Sequence, residues 1–380
     1  MSAQHMLKIA FLIRDLNYGG AQRQLVTLVK GLNKQNFDVT VLCFYPGGPL
    51  EKDLKDNGIS LICLEKNERW DVLRFVGRLF RHLKDIQPDV LHGYLGESNL
   101  LTIFLKPLFP STKMIWGIRE TNTDPALYGW LGRLLFQLEC LLSRFADQIV
   151  VNSYAGKTYH LTHGFPSDKM VIIPNGLDTE RFQPDLEARA KVRAEWEISK
   201  NTILIGLVGR LDPMKDHSSF LKAAALMYKQ RQDVRFVCVG TGPEKYARKL
   251  YELASELGIN QQVIWAQARP DMPAVYNALD IATSSSAYGE GFANVIGEAM
   301  ACGIPCVVTD VGDSKFIVGG AGIVVAPSNS QSLFTAWLEI LEVNKEKLSR
   351  MARSRIQENF DTKVLYEKTE KILISVTLQR

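Results

Sequence analysis

Two acids and two cations in the second half of the 380-residue chain have the types and spacing to do chemistry. Glu290 and Glu298, with seven residues between them, bracket the turn in YGEGFANVIGEAMACG (residues 288–303), while Arg210 and Lys215 share GLVGRLDPMKDH (206–217). A carboxylate accepts two hydroxyl hydrogen bonds at once, which suits sugar diols, so one acid would serve a transferred sugar and the other a ribose. Two cations in one loop can converge on a diphosphate, and Pro213 stiffens that loop against entropy loss on binding. Ordinary charges on a solvated loop are the competing reading. The backbone N–H groups of Gly291, Phe292, Ala293 and Asn294 stand where a helix begins, a position that attracts anions, and would hold a second part of the same phosphate. Glu298 has Ile296, Ala299 and Met300 as neighbours, which argues for a buried side against a plain surface glutamate.

Other candidates are less specific. VCVGTGPEKY (237–246) makes a Gly-x-Gly turn around Gly240 but lacks the third glycine and downstream acid of a dinucleotide fingerprint. It serves close approach to a ligand or merely a tight turn. YGGAQR (18–23) places Gly19 and Gly20 where the backbone is free to approach a phosphate, or where the chain simply turns. GIRETNTD (117–124) ends a strand with the polar cluster Arg119, Glu120 and Asn122, and functional loops concentrate at such ends. His92, in DVLHGYLGES, ends a neighbouring strand, where a structural histidine competes with a catalytic one.

The elements that must position these residues read as two rounds of short apolar strands alternating with helices, the signature of an α/β chain with parallel sheets wound on both faces. LKIAFLI (7–13) opens the first round. The pattern restarts after PNGLDTERFQPD (174–185), a stretch of turn formers without apolar period, and TILIGLVGR opens the second. The reading is therefore two doubly wound Rossmann-like domains, 1–180 and 181–360, with a cleft between them and a terminal helical segment, 361–380. Ligands are expected at the carboxyl ends of the strands.

Composition narrows the function classes. A net charge of +4 is too mild for a protein that coats nucleic acid. The six cysteines are scattered and mostly embedded in apolar runs, which reads as a reducing, cytoplasmic chain. Cys302 and Cys306 lack the second Cys or His pair of a zinc site. No apolar run reaches membrane-span length and no secretory signal is expected.

Together GGAQR, SYAGKTYH, IIPNGLDTERFQP, GRLDPMKD, VGTGPE and EGFANVIGEAMACGIPCVVTDVGDS resemble the retaining glycosyltransferases of family 4, which have the GT-B fold and are common in bacterial surface-polysaccharide assembly. The resemblance covers nearly the whole chain, and E-x7-E with the Arg210/Lys215 pair is its most specific part. It implies that Arg210 and Lys215 clamp the donor diphosphate, that Glu290 meets the donor sugar, and that Glu298 meets the ribose. Backbone at Ala268 and Arg269, in WAQARPDMP, would frame the base. A UDP-hexose or UDP-N-acetylhexosamine donor and a glycan or polyprenyl-lipid-linked acceptor follow from it, with Gly19 and Gly20 approaching the donor and His92, Arg119, Glu120 and Asn122 on the acceptor or sugar side. The final helix would cross back to the first domain. The chain has no Asp-x-Asp triplet, so no cofactor and no obligate metal are expected. It departs from the family in reading Arg119 onward where many members carry a sugar-contacting histidine.

RWDVLRFVGRLFRHLK (69–84) sets Arg74, Arg78, Arg81 and Lys84 opposite an apolar stripe, as in a helix lying on an anionic membrane surface, or one packed on a core with a solvated face. The localisation expected is cytoplasmic and peripheral on the inner membrane face. Competing functions are a nucleotide-sugar epimerase or hydrolase using the same clamp without an acceptor, an NAD-dependent dehydrogenase, or a nucleotide-binding module.

Overall fold

The computed structural model describes residues 6–66, 71–119 and 129–378. Glu120 and Asn122, together with Arg69 of the basic stretch, lie outside the described residues. The chain divides into two compact units, Met1–Gly176 with Thr362–Arg380, and Leu177–Asp361.

The first unit holds seven strands: β1 (Leu7–Ile13), β2 (Phe37–Cys43), β3 (Ser60–Cys63), β4 (Val90–Tyr94), β5 (Lys113–Ile118), β6 (Gln148–Val151) and β7 (Met170–Ile172). All pair in parallel in the order β3-β2-β1-β4-β5-β6-β7. Val, Ile, Leu and aromatic side chains bury both faces of the central strands, which is why β4 is buried along its whole length. The helix Thr362–Leu378 belongs to this unit, placing Leu365, Leu373 and Val376 in a core with Leu25, Leu28 and Val29 of the helix Gly20–Gly31.

The second unit repeats the plan with β8 (Ile203–Val208), β9 (Val234–Val239), β10 (Val263–Ala266), β11 (Ile281–Ser284), β12 (Cys306–Thr309) and β13 (Gly322–Val325). The order is β10-β9-β8-β11-β12-β13, again parallel throughout. Asp280 pins β11 beside β8: its carboxylate accepts from Leu204 N (2.9 Å) and pairs with Arg189, Arg193 and Lys345.

Each sheet reverses its winding once, between β1 and β4 in the first unit and between β8 and β11 in the second. Connections diverge to opposite faces at such a point and leave a crevice beyond the strand ends, so the loops after β1, β4, β8 and β11 are the ones placed to hold ligands.

Candidate functional site

In the second unit the loops after β8 and β11 are interlocked. The chain leaves β8 through Gly209 and Arg210, makes one 3-10 turn at Pro213–Lys215, and enters the helix His217–Gln230. Asp212 caps that turn by accepting from Met214 N (2.9 Å), and Asp216, with φ +47, caps the helix by accepting from Ser219 N (3.1 Å). The loop after β11 is tied to it where Ser285 Oγ donates to Lys215 O (2.8 Å) and Ala287 N to Met214 O (2.8 Å). On its other side, Asp313 N donates to Gly291 O (2.9 Å) and Thr309 Oγ1 to Ser286 O (2.6 Å). Gly312 has φ +60, and a Cβ there would strike the Glu290 carbonyl, so the contact excludes larger residues.

This scaffold brings together three of the four residues singled out first. Lys215 Nζ is ion-paired to Glu290 Oε1, and Ser286 Oγ donates to the same oxygen at 2.6 Å. Both charged side chains are largely buried, at 15% and 9% exposure. Arg210 is in the same loop, exposed, and among the described residues has no hydrogen-bond or ion-pair partner. An unpaired guanidinium beside a loop of fixed shape is a ready anion ligand.

Glu298 lies on the helix Asn294–Ala301, in its second turn, half-buried. Tyr276 donates its hydroxyl to Glu298 Oε2 at 2.7 Å. Tyr276 is buried, and burial first and the carboxylate second raise its pKa, so its proton stays in place to be donated. Sequence reading missed Tyr276: its helix, Met272–Ala278, is barely two turns long with proline at its start, too short to show a period. The helix bearing Glu298 begins at Asn294, with Ala293 at its cap position and no side-chain cap. Its first N–H groups are therefore not met by a capping side chain, as an anion site at a helix start requires.

Gly240 and Gly242 sit where added Cβ atoms would collide with the carbonyls of Gly209 and Leu211, so both permit the loop after β9 to press on the loop that carries Arg210. Ala268 and Arg269 follow β10. The Arg269 guanidinium is committed to Glu195 and Asp271 and stacks on Trp196 at 5.7 Å.

In the first unit, Gly19 and Gly20 stand at the cap and first residue of the helix Gly20–Gly31, which has no side-chain cap. His92 points into the sheet core, 1% exposed, its ring 5.2 Å from Phe11 and 5.1 Å from Tyr94. Among the described residues neither ring nitrogen has a partner, and burial with Arg119 nearby drives its pKa down to about 3, so it is a neutral core histidine. Arg119 ends β5, stacked 4.8 Å over the Tyr94 ring, and donates to Tyr94 Oη (2.7 Å) and Asn175 Oδ1 (3.1 Å). It borders a cavity of about 330 Å³ between the ends of β1, β4 and β5 and the helices Gly96–Leu105 and Trp130–Leu142.

Among the described residues, Cys43, Glu51 and Cys63 form the one trio close enough to share a metal ion. The thiols are 3.2 Å apart, but Glu51 Oε1 already accepts from Gly47 N (2.5 Å) and Gly48 N (3.1 Å), and burial holds the Cys43 thiol protonated. Cys302 and Cys306 form no ligand pair: both are buried, and Cys306 Sγ faces the carbonyls of Ile296 (3.7 Å) and Ile304 (3.6 Å).

Two parallel α/β sheets of seven and six strands, each reversing its winding once, have the GT-B architecture. Solved structures share this fold. HepE of Anabaena in complex with UDP superposes with TM-score 0.85 at 21% identity, covering 97% of this chain and 100% of that one. WaaG, a glycosyltransferase involved in lipopolysaccharide biosynthesis, superposes with TM-score 0.71 at 18% identity, over 96% and 99% of the two chains. Residues 18–181 match the family model "Glycosyltransferase Family 4" and residues 202–343 match "Glycosyl transferases group 1". A D-inositol 3-phosphate glycosyltransferase of Corynebacterium urealyticum is 30% identical over 312 residues, 76% of this chain and 70% of that protein. The UDP-Gal:alpha-D-GlcNAc-diphosphoundecaprenol alpha-1,3-galactosyltransferase of Escherichia coli is 22% identical over the whole of both chains. The chain belongs to glycosyltransferase family 4.

Proposed function

We propose that this protein is a retaining, metal-independent hexosyltransferase that moves a sugar from a UDP-hexose or UDP-N-acetylhexosamine to a glycan or polyprenyl-lipid-linked acceptor. The observation that carries the reading is the loop after β8, where Arg210 is exposed without a partner among the described residues and Lys215 is paired to Glu290. The donor diphosphate takes its place against Arg210 and Lys215, and the uncapped start of the helix Asn294–Ala301 adds N–H groups at Gly291 to Asn294. These fixed donors stabilise the charge that builds on the departing nucleoside diphosphate, which is where catalysis by preorganised electrostatics acts.

Lys215 and Glu290 share one ion pair, so the sugar hydroxyls and the phosphate compete for a network already in position. Glu290 accepts from the sugar while Lys215 turns to phosphate. Glu298, oriented by Tyr276, accepts from the ribose, and the backbone at Ala268 and Arg269 meets the base. Gly240 keeps the loops close. The acceptor hydroxyl enters on the face the diphosphate leaves, without an enzyme nucleophile. The named relatives favour this choice of donor and acceptor: the Escherichia coli protein is named for UDP-Gal and a diphosphoundecaprenol acceptor, and HepE is seen with UDP-glucose.

A lipid-linked acceptor implies work at a membrane surface, in the cytoplasm. Among the described residues no helix is long and apolar enough to cross a membrane. The helix Val72–Ile86 buries Phe75, Leu79 and Leu83 but leaves Leu73 89% exposed, beside Arg74 and Arg81. Arg78 is not available to lipid, because it bonds Leu64 O and Glu65 O and pairs with Asp71. The test is transfer from a panel of nucleotide sugars to a diphospholipid-linked sugar, with product anomers assigned by NMR. Retained configuration with one donor, undiminished by a chelator, is expected; inversion, or turnover without acceptor faster than with it, would overturn the reading.

A further inference from the structure

Two thiols touch at one edge of the first sheet. Cys43 and Cys63 are the last residues of β2 and β3, and the parallel register sets them directly opposite each other. Opposed residues on neighbouring strands point to the same face, and both pack here with Val41, Leu54 and Ile59. Cys43 Sγ donates to Cys63 Sγ at 3.2 Å, and Cys63 Sγ lies 3.9 Å from Glu51 Oε1. A disulfide needs its sulfurs about 2.0 Å apart and its Cα atoms about 4.4–6.8 Å apart, and neighbouring strands are spaced by about 4.8 Å, so the bond closes without moving either strand. The two thiols differ in access. Cys43 is buried, whereas Cys63 is half-buried on β3, the edge strand, so a reagent from solvent meets Cys63 first. The Cys43 thiol is held protonated by burial, then by its hydrogen bond to Cys63 and the charges of Cys63 and Glu51; the causes that belong to Cys63 end once that sulfur is capped. Among the described residues no other two cysteines are in contact.

We propose that Cys43 and Cys63 form a reversible modification site, a dithiol that a low-molecular-weight disulfide oxidises to an intrachain disulfide. Cys63 attacks one sulfur of the incoming disulfide, whose S–S bond breaks; a mixed disulfide forms at Cys63 and the departing thiolate takes the Cys63 proton. Cys43 Sγ then attacks Cys63 Sγ and expels the second small thiol, which takes the Cys43 proton. Two protein thiols are oxidised and one small disulfide is reduced to two thiols. Excess small thiol drives both steps backward, so the pair stays open in a reducing compartment and closes when the thiol pool is oxidised. Closure places residues 44–62 in one covalent loop. Within it Glu51 Oε1 accepts from Gly47 N (2.5 Å) and Gly48 N (3.1 Å), and Phe44 N and Leu50 N donate to Arg14 O (2.9 Å) and Leu16 O (3.1 Å) of the loop after β1. Oxidation therefore stiffens the loops after β1 and β2 together. The chemistry belongs to the first unit and is independent of the donor site.

The test is oxidation of the folded full chain with mixtures of oxidised and reduced glutathione, followed by alkylation of the remaining thiols and mass spectrometry of the peptides. The wild type is expected to lose two hydrogens in one disulfide joining the Cys43 and Cys63 peptides, with full reversal by dithiothreitol and at least threefold slower amide exchange in residues 44–51. Cys43→Ala, which removes the second nucleophile, is expected to hold glutathione at Cys63; in Cys63→Ala, Cys43 is expected to react at least tenfold more slowly than Cys63 does in Cys43→Ala. If either variant folds poorly, the order of attack is read in the wild type, where iodoacetamide should modify Cys63 at least tenfold faster than Cys43. Free Cys43 and Cys63 in the folded chain under conditions that oxidise the urea-unfolded chain would overturn the proposal. So would a glutathione adduct that persists at Cys63 with Cys43 present, or a disulfide that joins other cysteines.

Discussion

Replacing Lys215 with alanine tests the coupling at the centre of the donor site. The ammonium is 15% exposed and its partner Glu290 is 9% exposed, so the substitution strands a buried carboxylate whose remaining hydrogen-bond donor among the described residues is Ser286 Oγ at 2.6 Å. Removing one member of a buried pair costs about 3–5 kcal/mol, and the surviving hydroxyl bond sets the expectation near the lower end, at about 3 kcal/mol. Removing the stranded charge as well, in Lys215→Ala/Glu290→Gln, relieves part of that, so the double variant is expected to be more stable than Lys215→Ala by about 1–2 kcal/mol. Hydrogen exchange of amides in β8 and β11 reads the second unit separately from the first. If Lys215→Ala protects these amides as well as the wild type does, or if the double variant is no better than the single one, the ion pair is not coupled to the fold as described.

Three further outcomes are expected. Tyr276→Phe removes the 2.7 Å bond to Glu298, a charge-assisted bond of about 1.5–3 kcal/mol, so UDP affinity measured by calorimetry should fall about tenfold or more while pyrophosphate affinity stays unchanged. Acid should destabilise both units. His92 titrates at about 3 and His160 and His217 at about 4 when folded, all below the ordinary 6.5, so the unfolded chain binds more protons as pH falls from about 6.5 toward those values. Between pH 7 and 5 each costs about 2 kcal/mol, and His217→Gln should flatten the pH dependence of amide protection in the second unit by about one proton. Gly312→Ala should lower the melting temperature and weaken UDP binding together, because its added methyl strikes the Glu290 carbonyl.

Much of this was legible because parallel strands buried on both faces leave continuous apolar runs, and the loops between them hold the polar residues. Arg210, Lys215, Glu290 and Glu298 were visible by type and by their position after such runs. Their pairing was not: that Lys215 and Glu290, seventy-five positions apart, meet in one ion pair depends on β8 and β11 being neighbours at the winding reversal. Tyr276 was hidden by the shortness of its helix. His92 shows the opposite case. Its residue type suggested chemistry, but its register opposite Phe11 places it in the core. Arg78 likewise belongs to the basic stripe by spacing and to the packing of residues 64–71 by its bonds.

The central claim is that a nucleoside diphosphate is held by the loop after β8, and calorimetry with UDP, GDP and NAD on the wild type and Arg210→Ala tests it directly. Arg210 is exposed and, among the described residues, without a partner, so its loss should leave the fold unchanged. The account predicts that the wild type binds UDP, does not bind NAD, and loses at least tenfold in UDP affinity on Arg210→Ala. Tight NAD binding without UDP or GDP binding, or the same UDP affinity in both proteins, would contradict it.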